Sequence, residues 1–346
     1  MMITNPLRIG PWNLTDLQNV KPNGMKVFSC FHCGGGSTMG YKLAGFEVLG
    51  GVEIDPKMSE IYVKNHNPKY EYLMGVQEFK NIPDAQLPSE LFELDILDGS
   101  PPCSSFSMAG SREKNWGKKK KFREGQAEQV LDDLFFDFID VAEKLKPKVV
   151  VAENVKGLIQ GNARGYVKQI FKRFREAGYS CQLFLLNAAA MGVPQKRERT
   201  FFLANRLGAD KIRLEFSEGA IPLKEAFKNI DTGGYIKLPP SLVKEYNRLK
   251  VGDKGKYFSC SIASPLLPSS TITSKVCISA GSVLHWEGRN FSSNEVLQIS
   301  SFPTDYEFNK VETGYVCGMS VPPFMMQRIA DQIYRQWLYP HYERNK

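Results

Sequence analysis

The stretch KVFSCFHCGGG, residues 26–36, decides the fold class of this chain. A short, largely apolar run ends at Cys30, and three consecutive glycines follow before a segment with helical character. Glycines in such a turn let a ligand approach the backbone, and amides at the start of the helix are free to bind an anionic group. The stretch therefore predicts a strand, a ligand-binding turn and a helix, the first unit of a parallel sheet.

The next apolar run, residues 46–53, ends in an acid, Glu53, about seventeen residues beyond the last glycine of the turn. An acidic side chain at the end of the second strand can accept hydrogen bonds from both hydroxyls of a ribose. Strand, glycine turn, helix, strand and acid in this order predict a nucleoside cofactor. Because the full dinucleotide fingerprint is missing, the pattern does not favour NAD.

Short apolar runs alternate with amphipathic stretches over the first two-thirds of the chain, which is typical of a parallel sheet covered by helices. We predict a doubly wound, mostly parallel α/β sheet in residues 1–205, completed by residues 281–346, and a smaller irregular domain in residues 206–280. The expected strands are 26–30, 46–53, 94–98, 149–153, 181–186 and 200–203, with β-like fragments at 256–262 and 271–278. The expected helices are 126–145, a stripe at 167–174 and 321–337.

The composition is that of an ordinary globular protein: 346 residues, 42% of them hydrophobic and 24% charged. It excludes a disordered chain, a collagen and a disulfide-stapled miniprotein. No run approaches the roughly 20 apolar residues that span a membrane, and the start has no signal-peptide core, so we expect a cytoplasmic protein. The formal net charge of +8 suits a polyanionic partner but is also common in proteins without one.

The seven cysteines are scattered over a long chain, which indicates reduced thiols and no disulfide framework. Cys30 and Cys33 form a Cys-x-x-Cys pair, so a zinc site has to be considered. The remaining histidines supply no second pair of ligands at a recognisable spacing, and the sequence therefore predicts no metal.

One cysteine has the setting of a nucleophile. Cys103 follows Pro101 and Pro102 at the carboxyl end of the third expected strand, where ligands bind in open α/β sheets. The two prolines fix the backbone, so the sulfur is presented rigidly from a loop. The alternative is a buried thiol that acts as a small apolar side chain. Serines flank Cys103, which makes an apolar setting less fitting, and the pattern favours the nucleophile.

Two further segments carry charged residues at strand ends. The strand at 149–153 ends in Glu153, which could equally be a helix cap or a surface acid. If the segment after Gly192 is extended, its alternation points Gln195, Arg197 and Arg199 the same way. Such a strand would have a cationic face suited to phosphate or to an anionic intermediate.

Taken in order, these motifs resemble those of the DNA (cytosine-5) methyltransferases, and the resemblance covers residues 25–340. It rests on the glycine turn, the ribose acid, the Pro-Cys and Glu-Asn-Val motifs, and the Gln-x-Arg-x-Arg motif. Further along, the residues from Arg289 to Glu295 are similar to the family's ninth motif, and those from Gly318 to Pro323 to its tenth. The resemblance implies a class I, Rossmann-like methyltransferase domain, S-adenosylmethionine as cofactor and double-stranded DNA as substrate, with residues 206–280 recognising the target sequence.

The resemblance also implies a task for each residue. Cys103 is the thiolate that adds to cytosine C6, and Glu153 contacts the base at N3 and N4, where it is protonated or shares a proton. Arg197 offsets charge beside that acid, while Asn154 and Arg199 hold the site in shape. The residues implied in cofactor binding are Phe31, Gly34, Gly35, Glu53, Ile54, Asp55, Pro102 and Ser320.

The target cytosine lies inside a duplex stack, so the resemblance implies that the enzyme extrudes it. Residues 111–123 carry a cationic run with interleaved aromatics and are similar to the family's mobile loop, although a bare charge run is more often a solvated face. The residues implied in DNA binding are Ser107, Arg112, Lys118, Lys119, Lys120 and Gln195. The resemblance fits a monomer, and it leaves room for a cognate restriction endonuclease in the same system.

The chain departs from the family's pattern mainly around the cofactor. The usual residues are replaced at Ser29, Cys33, Gly75, Ser104 and Met319. Two alternatives therefore stay open: a cytosine-5 methyltransferase acting on RNA, and a non-catalytic DNA-binding homologue.

Overall fold

A central sheet of seven strands organises the computed structural model. The structure describes residues 5–102, 133–160, 164–233, 237–255, 260–274 and 282–346, together with the backbone of 119–120 and 129–130. The strands of the sheet are β1 Lys26–Cys30, β2 Glu47–Glu53, β3 Tyr70–Leu73, β4 Ile96–Gly99, β5 Val149–Val155, β6 Ser180–Asn187 and β7 Glu198–Asn205.

The strand order is β3-β2-β1-β4-β5-β7-β6, and β7 is antiparallel to both of its neighbours while the other pairs are parallel. The order reverses between β1 and β4, and the crevice at such a switch point binds ligands in doubly wound sheets. This confirms the predicted α/β class and the predicted doubly wound, mostly parallel sheet.

Helices cover both faces of the sheet. The helices of the described chain are α1 Gly36–Leu43, α2 Pro56–His66, α3 Val76–Phe79, α4 Leu134–Leu145, α5 Arg164–Glu176, α6 Leu223–Ala226, α7 Pro240–Arg248, α8 Ser293–Ile299, α9 Thr313–Met319, α10 Pro323–Ile333 and α11 Tyr339–Arg344. A π-helical turn, Tyr334–Leu338, joins the last two, and short 3₁₀ turns occupy Leu14–Asn19, Asp84–Gln86, Ser89–Phe92, Lys156–Ile159 and Ala188–Ala190.

Each face of the sheet has its own apolar core because strand residues alternate between the two sides. Val27 and Val151 point towards α1 and α10, and Phe28 and Leu97 point towards α4 and α5. The contact between α1 and α10 is close: a Cβ added to Gly40 would lie 2.4 Å from the Cβ of Met326. Helix α10 thus packs against α1, the helix that follows the glycine turn.

Within the main sheet and its helices, two expected elements differ clearly from the observed ones. The helix expected at 126–145 begins only at Leu134, and Gln129–Val130 instead pairs with Lys119–Lys120. Tyr70–Leu73 was not expected as a strand, because it lies at the sheet edge, half-buried and without an apolar run.

The segment 206–280 is irregular where the structure describes it. Ser261–Ile262 pairs with Val283–Leu284, and Ser269–Ser270 pairs with Gln195–Lys196. The β-like fragment expected at 256–262 is thus represented by two residues, and no strand lies in the described part of 271–278. Leu242, Cys260 and Leu284 form a small separate core. The domain boundaries at 205 and 281 stay a prediction.

A buried ion pair holds the segment before α8. The guanidinium of Arg289 donates to both carboxylate oxygens of Glu295 at 2.8 Å, and Glu295 also caps α8 by accepting from the Ser292 amide. Replacing Glu295 with alanine removes the fully buried partner of that cation and leaves only the exposed carboxylate of Glu287, so we expect a loss of about 3 kcal/mol in unfolding free energy. Urea unfolding measures it. Glu287→Ala removes the exposed partner of the same arginine and should cost about 1 kcal/mol or less; equal losses in both variants would contradict the assignment.

No described helix is long and apolar enough to cross a membrane.

Candidate functional site

The glycine turn is held in a conformation that side chains rarely adopt. Phe31 and Cys33 have positive φ angles of 57° and 49°, and Gly35, with φ of 71°, precedes the first turn of α1. Backbone strain at two residues with side chains is uncommon and tends to occur at functional sites. The turn is therefore fixed in shape before any ligand binds.

Elements from the C-terminal third close over this turn. The hydroxyl of Tyr306 donates to the carbonyl of Gly34, and a Cβ on Gly34 would lie 2.2 Å from a methyl carbon of Val316. A Cβ on Gly36 would lie 2.2 Å from the carbonyl oxygen of Val321 and 2.8 Å from the Cβ of Ser320. The tertiary structure thus brings Ser320 to the predicted cofactor turn, and only glycine leaves room for this packing.

The predicted ribose acid sits beside the same turn. Glu53 is buried at the end of β2; one carboxylate oxygen accepts from the amide of Cys33 at 2.9 Å, and the other from the amides of Ile54 and Asp55, both at 2.9 Å. Burial raises the pKa of Glu53, and the positive charge of His32 and these amides oppose the rise. The acid therefore joins the second strand to the turn and fixes the direction of its carboxylate.

The two residues after Glu53 have distinct surroundings. The Cδ1 of Ile54 lies 3.7 Å from the place where a Cβ on Gly75 would be, so the end of β2 and the start of α3 are adjacent there. The carboxylate of Asp55 accepts from the amide of Lys57 at 2.9 Å and caps the N-terminus of α2. Asp55 thus has a structural task besides its predicted one.

A buried histidine supports the turn from below, and its task was not predicted. His32 stacks on Tyr62 with 3.7 Å between ring centroids, and its Nε2 lies 3.1 Å from a carboxylate oxygen of Glu71. Burial lowers the pKa of His32, but the hydrogen bond to Glu71 and the negative charges of Glu71 and Glu53 together outweigh that effect, so the net shift is upward. The sequence showed His32 only as part of a Cys-x-x-Cys pair, because Glu71 is brought to it by the unpredicted strand β3.

A second acid lies at the end of β5. Arg199 on β7 pairs with Val155, two residues from Glu153, so both side chains lie on the same face. The Nε of Arg199 is 2.9 Å from the Oε1 of Glu153. Because both side chains are mostly buried, this pair holds Glu153 in one orientation.

Asn154 connects this strand to the loop that carries the proposed nucleophile. Its side-chain amide donates to the backbone carbonyl of Pro101 at 3.0 Å, and the backbone carbonyl of Asn154 accepts from the hydroxyl of Thr200 at 3.0 Å. Pro102 directly follows and is half-buried. Glu153 and the segment that enters Cys103 therefore meet at the same edge of the sheet.

The side chains expected to form a cationic face at 195–199 are largely buried in the structure. Arg197 is 2% exposed and donates to the carbonyls of Ile272 and Gly318; Gln195 is 1% exposed and its amide bonds to the backbone of Ile272 and Ile299. These two residues hold the segments at 272, 299 and 318 against the sheet, so their side chains contact protein groups and are not open to a phosphate. Gln195 therefore has a structural task, and the DNA contact predicted for it stays a prediction.

Asp98 was not predicted as a site residue, yet it lies at the centre of this edge. It is paired in register with Ser29 of β1, whose hydroxyl donates to it at 2.8 Å, and the hydroxyl of Tyr41 on α1 donates at 3.1 Å. In the sequence Asp98 has the pattern of an ordinary strand residue. Its position beneath the glycine turn depends on the pairing of β1 with β4, which the sequence does not show.

Several predicted residues lie outside the described part of the chain. They are Cys103, Ser104, Ser107, Arg112 and Lys118, and of Lys119 and Lys120 only the backbone is described. Among the described residues, no group of three metal-ligating side chains is present. Burial raises the pKa of the thiols at Cys30 and, to about 12, at Cys33, which makes both poor thiolates.

Comparison with known proteins shows which family the chain matches. Residues 25–232 match the family model of the C-5 cytosine-specific DNA methylases. Among curated proteins, the type II methyltransferase M.FnuDI of Fusobacterium nucleatum is 35% identical over 56% of this chain and 50% of its own length. M.NgoPII of Neisseria gonorrhoeae is 32% identical over 59% of this chain and 55% of its own length. The chain thus spans about half the length of these two relatives.

Other matches extend over most of the chain. The type II methyltransferase M1.HphI of Haemophilus parahaemolyticus is 28% identical over 88% of this chain and 85% of its own length. Among solved structures, a protein encoded within an E. coli prophage matches with a TM-score of 0.67, at 18% identity over 90% of this chain and 99% of that one. A mutant of Spodoptera frugiperda DNMT2 matches with a TM-score of 0.64, at 18% identity over 90% of this chain and all of that one. At these identities the structures support the fold.

Proposed function

The chain belongs to the C-5 cytosine-specific DNA methylases, and from that premise we propose that it transfers a methyl group from S-adenosylmethionine to C5 of cytosine in duplex DNA. The observation that supports this most is the meeting of two motifs at one sheet edge. Asn154, next to the acid Glu153, bonds to the carbonyl of Pro101, two residues before Cys103. An acid and a thiol at one edge are what the reaction requires.

Cys103 supplies the nucleophile in this proposal. Cytosine C5 is a weak nucleophile, and addition of a thiolate at C6 turns the ring into an enamine-like species that can attack an electrophilic methyl group. The bond from Asn154 to Pro101 holds the backbone two residues before Cys103 against the strand that carries Glu153. Water or a small proton relay then accepts the C5 proton, and elimination of the thiolate releases the product.

Glu153 acts on the base from the other side. Protonated, or sharing a proton with N3, it withdraws electron density from the ring as the thiolate adds. Its salt bridge to Arg199 holds the carboxylate in place, and Arg197, buried beside the pair, offsets negative charge there. Asn154 acts as a positioning residue for the loop.

The residues at the glycine turn fit S-adenosylmethionine. A carboxylate at Glu53 suits the ribose, Ile54 suits one face of the adenine, and the turn from Phe31 to Gly35, with Pro102 and Ser320, suits the methionine end. When bound, this cofactor supplies the methyl group as an activated sulfonium. Gly75 offers no side chain to the adenine amino group, so we expect weaker adenine recognition than an acid at that position would give.

DNA is the proposed polyanionic partner. We assign duplex binding to residues 107–123, including Ser107, Arg112 and Lys118–Lys120, and sequence recognition to 206–280, where the described part is clamped to the sheet by Gln195 and Arg197. The target cytosine is extruded from the stack at a cost of a few kcal/mol. We propose that the protein works in the cytoplasm as a monomer, with no membrane or metal partner, alone or beside a cognate restriction endonuclease.

The proposal is tested with tritiated S-adenosylmethionine. The protein is incubated with mixed-sequence duplex DNA and, in parallel, with transfer RNA. We expect label in 5-methylcytosine of the DNA only. Label in the RNA only would instead assign the RNA substrate, and no label in either, with folding confirmed, would support a non-catalytic DNA-binding protein.

A further inference from the structure

We propose that Asp98 is the internal counter-charge for a positively charged methyl donor bound at the glycine turn; this inference rests on the function proposed above. Asp98 is 2% exposed at the end of β4. Its carboxylate accepts from Ser29, two residues before the turn, and from Tyr41, on the helix that follows it. The acid thus bridges both sides of the segment that would hold the donor.

The described structure gives Asp98 no cation. Every hydrogen-bond donor that contacts its carboxylate there is a hydroxyl, including that of Ser37, and none of the described ion pairs includes it. The neighbouring acid Glu153 differs, because it has Arg199 at 2.9 Å. An ionised carboxyl buried without a positive partner is costly, and a ligand that carries a positive charge relieves that cost.

The protonation of Asp98 follows from the same surroundings. Burial raises the pKa of Asp98 to about 7, although the hydroxyls of Ser29 and Tyr41 partly oppose the rise. At neutral pH the carboxyl is therefore ionised in only about half of the molecules. A sulfonium or ammonium group bound nearby favours the ionised form and lowers the pKa. Binding of a cationic donor then expels a proton.

Other titratable groups face Asp98 from the packed elements. The negative charge of Glu153 on β5 contributes to raising the pKa of Asp98. Asp98 in turn raises the pKa of Tyr41 on α1, Tyr62 on α2 and Cys30 on β1, after the larger effect of burial, so these three stay protonated at neutral pH. Compared with Tyr41, Tyr62 and Cys30, Asp98 is thus the group that changes charge near pH 7 when a cation arrives.

The test is isothermal titration calorimetry of the whole protein at pH 7, in two buffers of different ionisation enthalpy. S-adenosylmethionine carries a sulfonium, whereas S-adenosylhomocysteine has a neutral thioether. We expect release of about half a proton on binding S-adenosylmethionine and less with the thioether. In Asp98→Asn the release should vanish, and affinity for the sulfonium compound should fall about tenfold relative to the thioether.

Asp95→Asn is the matched control. Asp95 is buried directly before β4, whereas Asp98 lies near the end of that strand, and the carboxylate of Asp95 is paired with Lys148. That variant should release the same half proton as the wild type. Proton release that persists in Asp98→Asn, or an equal loss of affinity for both ligands, would overturn the role of Asp98. If the wild type binds neither ligand, the proposed function itself fails, and the inference with it.

Thermal unfolding separates this role from a merely structural one. A carboxyl whose pKa is raised in the folded protein destabilises the fold once pH exceeds the pKa of the unfolded chain, about 4. Asp98→Asn removes that penalty, so its melting temperature should exceed that of the wild type at pH 8 and match it at pH 4. A variant destabilised at both pH values would mean that Asp98 serves packing alone.

Discussion

Methyl transfer is expected to disappear when Cys103 is replaced with alanine, with a fall in kcat of roughly 10⁴-fold or more, about 5 kcal/mol in activation free energy. Without the thiolate, cytosine C5 has no route to the enamine-like species that accepts a methyl group. DNA binding should persist, because the contacts that we assign to the backbone of the duplex do not involve this side chain. The measurement is incorporation of tritiated methyl groups into duplex DNA at saturating donor.

A covalent trap gives a second readout of the same residue. With S-adenosylmethionine and 5-fluorocytosine DNA, fluorine stands where the C5 proton would be lost after methyl transfer, so the methylated adduct between Cys103 and C6 cannot eliminate and should survive denaturing electrophoresis. Cys181→Ala is the matched control, since that thiol lies on β6, two strands beyond β5, and burial raises its pKa. An adduct that forms in Cys103→Ala, or one that is lost in Cys181→Ala, would show that a different thiol is the nucleophile.

Replacing Glu153 with glutamine is expected to lower kcat by about 10²–10⁴-fold, the range for removing a positioned general acid. Glutamine has almost the same shape but cannot donate a carboxyl proton to N3 of the base. It also leaves Arg199 without a negative partner in a mostly buried site, so part of the effect is structural. Single-turnover methylation and the Kd for duplex DNA together separate the chemical step from binding.

The neighbouring acid provides the control for this prediction. Glu198→Gln makes the same chemical change one residue before Arg199, where the carboxylate pairs with Lys156 near the surface. We expect less than about 1 kcal/mol of lost stability and nearly normal methylation in that variant. If Glu153→Gln loses DNA affinity and stability in proportion to its activity, the acid holds the site together and does not act on the base.

Most of the described residues that depart from the family's pattern lie in or next to segments that carry predicted cofactor-binding residues. Cys33 stands in the strained turn and Gly75 faces Ile54, while Met319, at the end of α9, is 42% exposed next to Ser320. Ser29 is the exception, because its hydroxyl bonds to the carboxylate of Asp98 one strand away. An acidic group is thus present under the turn, although it comes from β4 and not from β1.

Local sequence signals were sufficient for most of the sheet. Residues 26–30 were predicted with the bounds that the structure has, because an apolar run flanked by a glycine turn has few alternatives. The predicted starts of β5 and β6 differ from the observed ones by at most one residue. The local pattern fails in two cases. Tyr70–Leu73 is a half-buried strand without an apolar run, and apolar residues at helical spacing continue upstream of Leu134, where the helix begins.

The sequence by itself determined the fold class and, through motif order, the family, and it predicted the edge of the sheet where the candidate site lies. These properties follow from short-range patterns, since strand ends, glycine turns and Pro-Cys are each specified by neighbouring residues. Only the tertiary structure decided which charges meet. Arg199 pairs with Glu153, Arg197 is buried as a clamp, and Asp98 lies under the turn without a described cation, because strand register and the return of the C-terminal helices bring together residues far apart in the chain. Side-chain type gives no information on such pairings until the register is known.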